Sequence, residues 1–470
     1  MIFICEKCGL RQRIEADEFP MLCICKTLYH HPPQEPMPSL TKRLAHYGRA
    51  LAGHIFNGRP KRTDSEVSWI LATHCKPCRY FDGTNCRHAQ CGCRVNDGHS
   101  AIANKIRMAT QSCPIGLWGP ESRPNGQVTI GLITPGLVSA GAEWWTTWMT
   151  RACDQSAVRV EFVLQVSGKD RTDPALAAEI RKTCPIYHDA QLPKGVLAKT
   201  DVIIAWGGGN VPRSLDSFGG QLVFVNHAST DKAREIVGKA LLNGYDHFVA
   251  VSAKAAEYMP RESHPTVLHN GIDLDRCSPI KGRKATRKRW RAAKDDMCIG
   301  FLGRPHANKH PDLLARACEL LPTRYRPVFI GQFGDYQKRA MADICSRSVF
   351  VDPSPHVGDA LAALDGFVLI SDHEAMNLAT CEAWAAGVPV VTTPVGAVPE
   401  LEQRNGRLCV TVPVGSDAAT VAGAIESALS DENRETVERA AQVVHDHYTL
   451  EAMGQRWATY LLAVKKAASS

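Results

Sequence analysis

Two glutamates, Glu374 and Glu382, are separated by seven residues and stand where a loop passes into a predicted helix. The apolar run 367–370 precedes the loop, and the helix is predicted to start near Leu378. A helix N-terminus after a strand presents free backbone N–H groups and a positive dipole end, which suit a diphosphate. Two carboxylates close to a bound phosphate are electrostatically unfavourable unless they accept hydrogen bonds from hydroxyl groups. The pattern therefore predicts a ligand with both phosphates and sugar hydroxyls.

Two cations follow the apolar run 298–302, about 70 residues before the glutamates. Gly303 is expected to turn the chain there, and Arg304 and Lys309 stand five residues apart after the turn. Cations at a strand end can neutralise the charge that develops on a leaving diphosphate. Arg304 and Lys309 are therefore candidate catalytic residues.

The glutamate pair and the segment after it resemble the E-x7-E signature of glycosyltransferase family 4. That segment is Ala383-Trp384-Ala385-Ala386-Gly387-Val388-Pro389-Val390-Val391, and family members also carry an Arg and a Lys at the spacing of Arg304 and Lys309. The resemblance implies that Glu382 holds the ribose of a nucleotide and that Glu374 contacts the donor sugar. It implies a retaining transferase that uses a nucleoside diphosphate sugar, most readily of uridine or guanosine, and no catalytic metal.

The resemblance also assigns backbone groups to the donor. The amides expected to hold the diphosphate belong to Met376, Asn377, Leu378 and Ala379. The run 135–143 resembles the Gly-Gly-x-Glu loop of the family, with Ala140 in place of the first glycine and Gly141 retained. Small residues such as Gly141 and Gly303 let backbone approach a ligand closely.

Three further segments are less specific. His227 follows a predicted strand, where family members often have a histidine that contacts the donor sugar; an ordinary loop histidine is the alternative. The run 206–210 contains three glycines and is assigned to the acceptor side of the cleft, with a flexible turn as the alternative. The run 267–279 resembles the segment where family members cross between domains, and we interpret it as a hinge and cleft wall rather than as catalytic.

The elements that must position these residues alternate between apolar runs and helical patterns, which is typical of βαβ units with a parallel sheet. One set of predicted strands covers 128–134, 158–166, 201–206, 222–226, 247–251 and 266–268, and a second covers 298–302, 326–330, 349–351, 366–370, 389–393 and 408–412. Two α/β, Rossmann-like doubly wound domains facing each other put the site in the cleft between them. The resemblance implies this two-domain arrangement, known as GT-B. We place an acceptor-side domain at 126–275, a donor-nucleotide domain at 276–445, and a C-terminal helix at 446–470 that packs back across the cleft.

The N-terminal end carries a different chemistry, because ten of the 18 cysteines lie in the first 113 residues. Cys5, Cys8, Cys23 and Cys25 could surround one zinc ion tetrahedrally in a zinc-ribbon-like module at 1–35. A linker with one short helix around 40–56 is predicted at 36–70. A second cysteine-rich module is predicted at 71–119, with Cys75, Cys78, Cys86, Cys91, Cys93 and Cys113 as candidate ligands. These six allow one four-thiolate site with two spare cysteines or two metals that share thiolates. Disulfides are the alternative, which a cytosolic setting disfavours.

Composition excludes little. The chain has 470 residues, 44% of them hydrophobic and 22% charged, with a formal net charge of +7. No apolar stretch approaches the ~20 residues of a membrane-spanning helix, and the start lacks the pattern of a signal peptide. We therefore expect a soluble, cytoplasmic protein.

Other functions stay open at this point. The zinc modules could bind DNA, RNA or a protein partner, and the acceptor could be a glycan, a protein or a modified nucleic acid. A nucleic-acid-directed protein, or a transferase fold that serves as a non-catalytic scaffold, are the alternatives to an enzyme. The basic stretch 281–291 is interpreted as a solvated helix rather than a nucleic-acid patch.

Overall fold

The structure is a computed structural model that describes most of the chain from residue 38 to residue 468. It describes 38–56, then 62, 67–68, 70–76, 78, 80–81, 84–88, 95, 105–108, 111 and 113, then 127–138, 141–154, 157–166 and 172–468. Before residue 38 it describes four short strands, β1 Ile2–Ile4, β2 Arg11–Arg13, β3 Met21–Leu22 and β4 Leu28–Tyr29. The chain divides into two compact units, 1–127 with 183–185 and 128–182 with 186–470.

The first unit combines small antiparallel pairs with helices. Strand β1 pairs with β2, and β3 pairs with β4. The helix predicted in the linker is confirmed as α1 Leu40–Phe56, and a π-helical turn spans Leu71–Cys75. A small apolar cluster contains Val67, Ile70, Leu71, Cys75, Val95 and Ile106, with Phe81, Cys86 and Cys113 packed against it.

The predicted zinc ligands are only partly within the described residues. Cys5, Cys8, Cys23, Cys25, Cys91 and Cys93 lie outside them. Cys75 is buried in the apolar cluster, and Cys78 is partly exposed. Among the described residues, no group of three or more His, Cys, Asp or Glu side chains could hold a metal ion. Zinc binding therefore stays a prediction that rests on sequence spacing.

Two parallel sheets form the second unit. In the described part of the chain, the first sheet contains β5 Val128–Thr134, β6 Val158–Gln165, β7 Ile186–His188, β8 Val202–Trp206, β9 Gln221–Asn226, β10 His247–Ala250 and β11 Thr266–Val267, in the order β11-β10-β9-β8-β5-β6-β7. The second contains β12 Met297–Leu302, β13 Tyr325–Ile330, β14 Val349–Val351, β15 Gly366–Leu369, β16 Val390–Thr392 and β17 Val410–Thr411, in the order β14-β13-β12-β15-β16-β17. Every predicted strand is present within two residues. Strand β7, which is short and only half-buried, was not predicted.

Helices connect the strands of both sheets. The α-helices are α2 Gly141–Asp154, α3 Pro174–Thr183, α4 Lys194–Leu197, α5 Asp231–Leu242, α6 Ala253–Glu257, α7 Leu274–Cys277, α8 Gly282–Arg289, α9 Pro311–Leu320, α10 Asp335–Ile344, α11 Gly358–Ala363, α12 Leu378–Ala385, α13 Val398–Asn405, α14 Ala418–Ala428, α15 Arg434–His447 and α16 Leu450–Ala468. Short 3-10 turns lie at Asp189–Gln191, Arg213–Leu215, Arg261–Ser263, Ala307–Lys309 and Asp431–Asn433. No described helix is long and apolar enough to cross a bilayer.

The strand order explains where a ligand would bind. In each sheet the chain starts at a central strand, moves to one edge, and then returns to fill the other side. The direction reverses between β5 and β8 in the first sheet and between β12 and β15 in the second. Ligands of such sheets bind outside the carboxyl ends of the strands at this reversal. The loops after these four strands are therefore the ones to inspect.

The chain crosses between the two sheets at two places. Beside Gly271, the N–H of Ile272 donates to the carbonyl of Tyr448 at 2.8 Å. A Cβ atom on Gly271 would lie 2.1 Å from the carbonyl oxygen of Thr449, so this contact requires glycine. Helix α16 then packs against α2 of the first sheet, and Lys465 pairs with Asp201 at 2.9 Å.

The basic stretch 281–291 is partly structural. Helix α8 carries Arg283 and Arg287, and both guanidinium groups bind the carboxylate of Asp365 just before β15. Arg287 also donates to the carbonyl of Ala363 at 2.9 Å. The stretch forms a largely exposed helix, as predicted, and these two arginines also fasten α8 to the second sheet.

Candidate active site

A cavity of about 440 Å³ lies within the second unit at the carboxyl ends of both sheets. It is lined by every donor-site and catalytic candidate named from the sequence, Gly141, His227, Gly303, Arg304, Lys309, Glu374, Met376, Asn377, Leu378, Ala379 and Glu382. The loops that supply them follow β5, β9, β12 and β15. The fold thus brings together residues that are up to 241 positions apart in sequence, from Gly141 to Glu382.

Glu374 and Lys309 form an ion pair in this cavity. The Lys309 Nζ atom lies 2.5 Å from Glu374 Oε1, and the Ser371 hydroxyl donates to the same oxygen at 3.0 Å. Residues of the first sheet hold the backbone of the same loop. Ser229 donates to the carbonyl of Glu374 at 2.7 Å, and Ser252 donates to the carbonyl of Ala375 at 2.6 Å. The loop after β15 is therefore fixed from both sheets.

The start of helix α12 faces the same cavity. Asn377 adopts a left-handed conformation with φ of 67°, and its side-chain oxygen accepts from the N–H of Thr380 at 3.4 Å. Asn is one of the few residues that tolerate this conformation. A Cβ atom on Gly141, at the start of α2, would lie 3.5 Å from Leu378 Cδ1, so the starts of α2 and α12 adjoin. Two helix N-termini at one cavity favour a bound anion.

The side chain of Arg304, unlike that of Lys309, has no partner among the residues that the structure describes. Its side chain is exposed at the cavity, and it makes no hydrogen bond or ion pair with the residues that the structure describes. Gly303 just before it has φ of 148°, a conformation that only glycine adopts without strain. Arg304 therefore offers an unengaged cation to an anionic ligand.

Glu382 is buried and paired with Arg276, a residue that sequence reasoning missed. Arg276 Nε donates to Glu382 Oε1 at 2.7 Å, and the two side chains are 9% and 6% exposed. The guanidinium also donates to the carbonyls of Ser354 at 3.0 Å and Pro355 at 2.5 Å. It stacks over the indole of Trp144 at 4.8 Å. The only sequence signal was its position six residues after Asn270, in the run interpreted as a hinge.

His227 lies between two indoles at the cavity. Its ring is 4.8 Å from that of Trp145 and 5.7 Å from that of Trp206, both edge to face. Loss of hydration there lowers the pKa of the imidazole to about 3. Its Nε2 atom has no hydrogen-bond partner among the described residues. His227 is therefore neutral near pH 7, with a ring nitrogen that remains to be satisfied.

Part of this chain, including the second sheet, is similar in sequence to known proteins. Residues 297–431, which cover most of the second sheet, match the family model of Glycosyl transferases group 1. Curated relatives include a D-inositol 3-phosphate glycosyltransferase of Streptomyces scabiei, 31% identical over 41% of this chain and 48% of the relative. Another is the lipopolysaccharide core biosynthesis mannosyltransferase LpsB of Rhizobium meliloti, 28% identical over 42% of this chain and 59% of the relative. The second sheet with its helices is similar in sequence to group 1 glycosyltransferases. The chain spans about half the length of the curated relatives it matches.

Solved structures show the fold of the second unit. Anabaena Alr3699/HepE in complex with UDP and glucose aligns with a TM-score of 0.58 at 16% identity, over 72% of this chain and all of that one. Sucrose-phosphate synthase from Thermosynechococcus elongatus aligns with a TM-score of 0.58 at 17% identity, over 73% of this chain and all of that one. The fold is α/β with two parallel-sheet domains, as in GT-B proteins.

The neutral state of His227 has a consequence for stability. In the unfolded chain a histidine has a pKa of about 6.5, so between about pH 6.5 and pH 3 the unfolded state binds a proton that the folded state does not. Above about pH 6.5 the histidine is neutral in both states and does not change the free energy of unfolding. As the pH falls below this value, protonation of the unfolded state lowers the free energy of unfolding. Between pH 7 and pH 5 the loss is about 2 kcal/mol. We expect His227→Gln to remove this part of the pH dependence of the free energy of unfolding, measured by urea denaturation at both values.

The matched control is His447→Gln, since His447 is exposed and lies outside the cavity. That variant should keep the pH dependence of the parent protein. An identical decrease in stability for the parent and for His227→Gln would show that His227 is protonated in the folded state.

The buried Arg276–Glu382 pair generates a second prediction. Arg276→Ala leaves the Glu382 carboxylate buried without its cation, and such a loss costs about 3 kcal/mol or more. Arg276→Lys keeps the charge but not the planar set of donors, so an intermediate loss is expected. Urea denaturation at pH 7 measures both.

Arg434→Ala is the control, because Arg434 pairs with Glu438 at 3.0 Å on the surface, with side chains 80% and 65% exposed. Exposed pairs of this kind contribute less than about 1 kcal/mol. Equal losses for Arg276→Ala and Arg434→Ala would contradict a stabilising role for the buried pair.

Proposed function

We propose that the protein is a glycosyltransferase that takes a sugar from a nucleoside diphosphate sugar and passes it to an acceptor hydroxyl. The observation that supports this most is the convergence of an unengaged cation, Arg304, a Lys309–Glu374 pair and the start of α12 in one cavity. Phosphate oxygens, a leaving diphosphate and sugar hydroxyls each find a partner there. The group 1 match over 297–431 supports the same activity.

The nucleotide would lie against the second sheet. Arg276 binds Glu382 Oε1, so Glu382 Oε2 remains to accept a ribose hydroxyl. The backbone N–H groups at the start of α12 and the Arg304 guanidinium would hold the diphosphate. The solved complex of HepE with UDP and glucose supports a donor of this class.

The donor sugar would lie between Glu374 and His227. In the transfer step the bond from the anomeric carbon to the diphosphate oxygen breaks, and the electron pair leaves with the nucleotide. The acceptor oxygen forms the new bond, and its proton passes to the leaving phosphate. Arg304 and Lys309 would stabilise the negative charge on the diphosphate, which is the role that a metal ion fills in other enzymes.

Retention at the anomeric carbon is part of the proposal, on the resemblance to family 4. Glu374 is held by Lys309 and Ser371, so its Oε1 atom is already engaged on both sides. We therefore propose that the acceptor attacks from the face that the diphosphate leaves, and that Glu374 orients sugar hydroxyls rather than bonding to carbon.

The first test is hydrolysis of a panel of nucleoside diphosphate sugars by the full chain. We expect turnover of at least one donor, and we expect Arg304→Ala to lower kcat by about 10²- to 10³-fold, because one stabilising donor to the developing charge is lost. Arg316→Ala is the control, since Arg316 lies on the outer face of α9 and is 55% exposed. Glu382→Ala should abolish binding of the nucleotide.

The opposite result would be equally informative. No turnover, together with no change in melting temperature with any donor or free nucleoside diphosphate, would favour a non-catalytic scaffold. Turnover that Arg304→Ala leaves intact would remove Arg304 from the diphosphate site.

We also propose structural zinc in the N-terminal cysteine-rich region, supported by the Cys-x2-Cys spacing of Cys5 and Cys8. The described thiols do not by themselves form a site, so the proposal rests on the clustered sequence. Reduced thiolates require a reducing compartment, and we propose the cytoplasm. Elemental analysis should find at least one zinc ion per chain. The Cys5→Ser, Cys8→Ser double variant should contain one zinc ion fewer, and Cys409→Ser should contain the same number as the parent protein. A protein that contains no zinc and whose clustered cysteines carry no free thiols would have disulfides there instead.

A further inference from the structure

The wall of the cavity on the side of the first sheet is aromatic. Trp206 is the last residue of β8, and Trp144 and Trp148 lie one turn apart on α2. All three line the cavity, with Trp144 and Trp206 partly exposed. The rings of Trp144 and Trp148 are 6.1 Å apart and tilted by 33°. We call these three residues the indole wall.

The indole wall is held in place by the surrounding residues. The Trp206 Nε1 atom donates to the Thr146 hydroxyl at 2.9 Å, and its ring meets His227 edge to face. One face of Trp144 is covered by the Arg276 guanidinium at 4.8 Å. A rigid aromatic surface loses little conformational entropy when a ligand binds. The wall is therefore suited to recognition and not only to filling space.

The charges near this wall separate it from the donor side. Besides the indoles, the polar residues that the first sheet contributes to the cavity within the described ranges are Glu143, His227 and Asn270. His227 is neutral because burial lowers its pKa to about 3. Arg276, which touches Trp144, is already engaged by Glu382. A phosphate group on an acceptor would thus meet a carboxylate and no unengaged cation among the described residues of this wall.

We propose that the indole wall is the acceptor subsite and that it binds an uncharged pyranose ring of a carbohydrate. The proposal rests on the transferase function proposed above and names the acceptor class of that site. An indole face is electron-rich and attracts the C–H groups of a pyranose face, with a large apolar area buried. The ring hydroxyls then remain for polar side chains of the same cavity, among them Asn270.

Asn270, which is not an aromatic residue of the wall, has a buried polar atom that no described residue satisfies. Its side chain is 2% exposed, it lines the cavity, and its Oδ1 atom has no hydrogen-bond partner among the described residues. A buried acceptor without a donor costs free energy, so such an atom calls for a partner. A sugar hydroxyl is a donor of the right size and polarity. A nucleobase could also stack on indoles, but the nucleic-acid strand that carries the base brings phosphate groups, which require cations.

The test uses the full chain, the donor that it hydrolyses, and three kinds of acceptor. These are methyl glycosides of glucose, galactose and mannose, D-inositol 3-phosphate, and a single-stranded oligonucleotide that contains 5-hydroxymethylcytosine. Trp206→Ala, Trp206→Phe and the control Trp290→Phe are compared, because Trp290 ends α8 and lies outside the cavity. Transfer is followed by product analysis, and glycoside binding is measured separately by titration calorimetry with nucleoside diphosphate present.

We expect at least one methyl glycoside to accept the sugar. Trp206→Ala should raise the acceptor KM at least tenfold and several times more than it raises the donor KM. Trp206→Phe should recover most of the loss because it keeps a ring face, and Trp290→Phe should change neither constant by more than twofold.

Three results would overturn the subsite. They are transfer to D-inositol 3-phosphate or to the oligonucleotide with no transfer to glycosides, an equal effect of Trp206→Ala on both KM values, and no glycoside binding by calorimetry. Binding of a glycoside that Trp206→Ala abolishes, in a protein that turns over no donor, would refute the transferase function and leave the subsite supported.

Discussion

This site depends on one constraint: the carboxylates beside an anion-binding helix start must be neutralised. Glu374 and Glu382 flank the start of α12, where unpaired carboxylates would repel the diphosphate that this helix start favours. Each is paired, Glu374 with Lys309 at 2.5 Å and Glu382 with Arg276 at 2.7 Å. The pairs let acidic groups needed for hydroxyl recognition coexist with groups needed for phosphate recognition. Arg304 is the cation of this cavity that pairs with no described carboxylate.

The parallel sheets make this arrangement possible because they bring the ends of distant strands to one edge. The loops after β12 and β15 supply the Lys309–Glu374 pair, and the second pair joins Glu382 of α12 to Arg276 of the crossing segment. Ser229 and Ser252 of the first sheet donate to successive carbonyls of the loop after β15. The donor side of the cavity is thus shaped by both sheets, although its charged groups come from one.

Much of the fold follows from local sequence, and the site only in part. Continuous apolar runs predicted the strands because both faces of a parallel sheet are buried. Strand β7 was missed because three half-buried residues give no such run. The short-range spacing of Arg304, Lys309, Glu374 and Glu382 predicted four residues that the fold brings to one cavity. Arg276 was missed because its role depends on a partner 106 positions away. Trp144 and Trp148 were missed because aromatic residues on a helix are ordinarily core residues, and only the folded chain shows which of them reach the cavity.

The return of α16 to the first sheet also has a consequence for biosynthesis. Trp457 of α16 packs against Trp145 of α2 at 5.8 Å, so part of the cover of the first parallel sheet is encoded after the whole second sheet. Domains ordinarily fold in order as they leave the ribosome. Here the first sheet keeps an uncovered apolar surface on α2 until about 300 further residues have been translated. That surface of α2 is therefore open to misassembly while these residues are being made, and truncation within α16 would uncover a sheet that is made before the second parallel sheet.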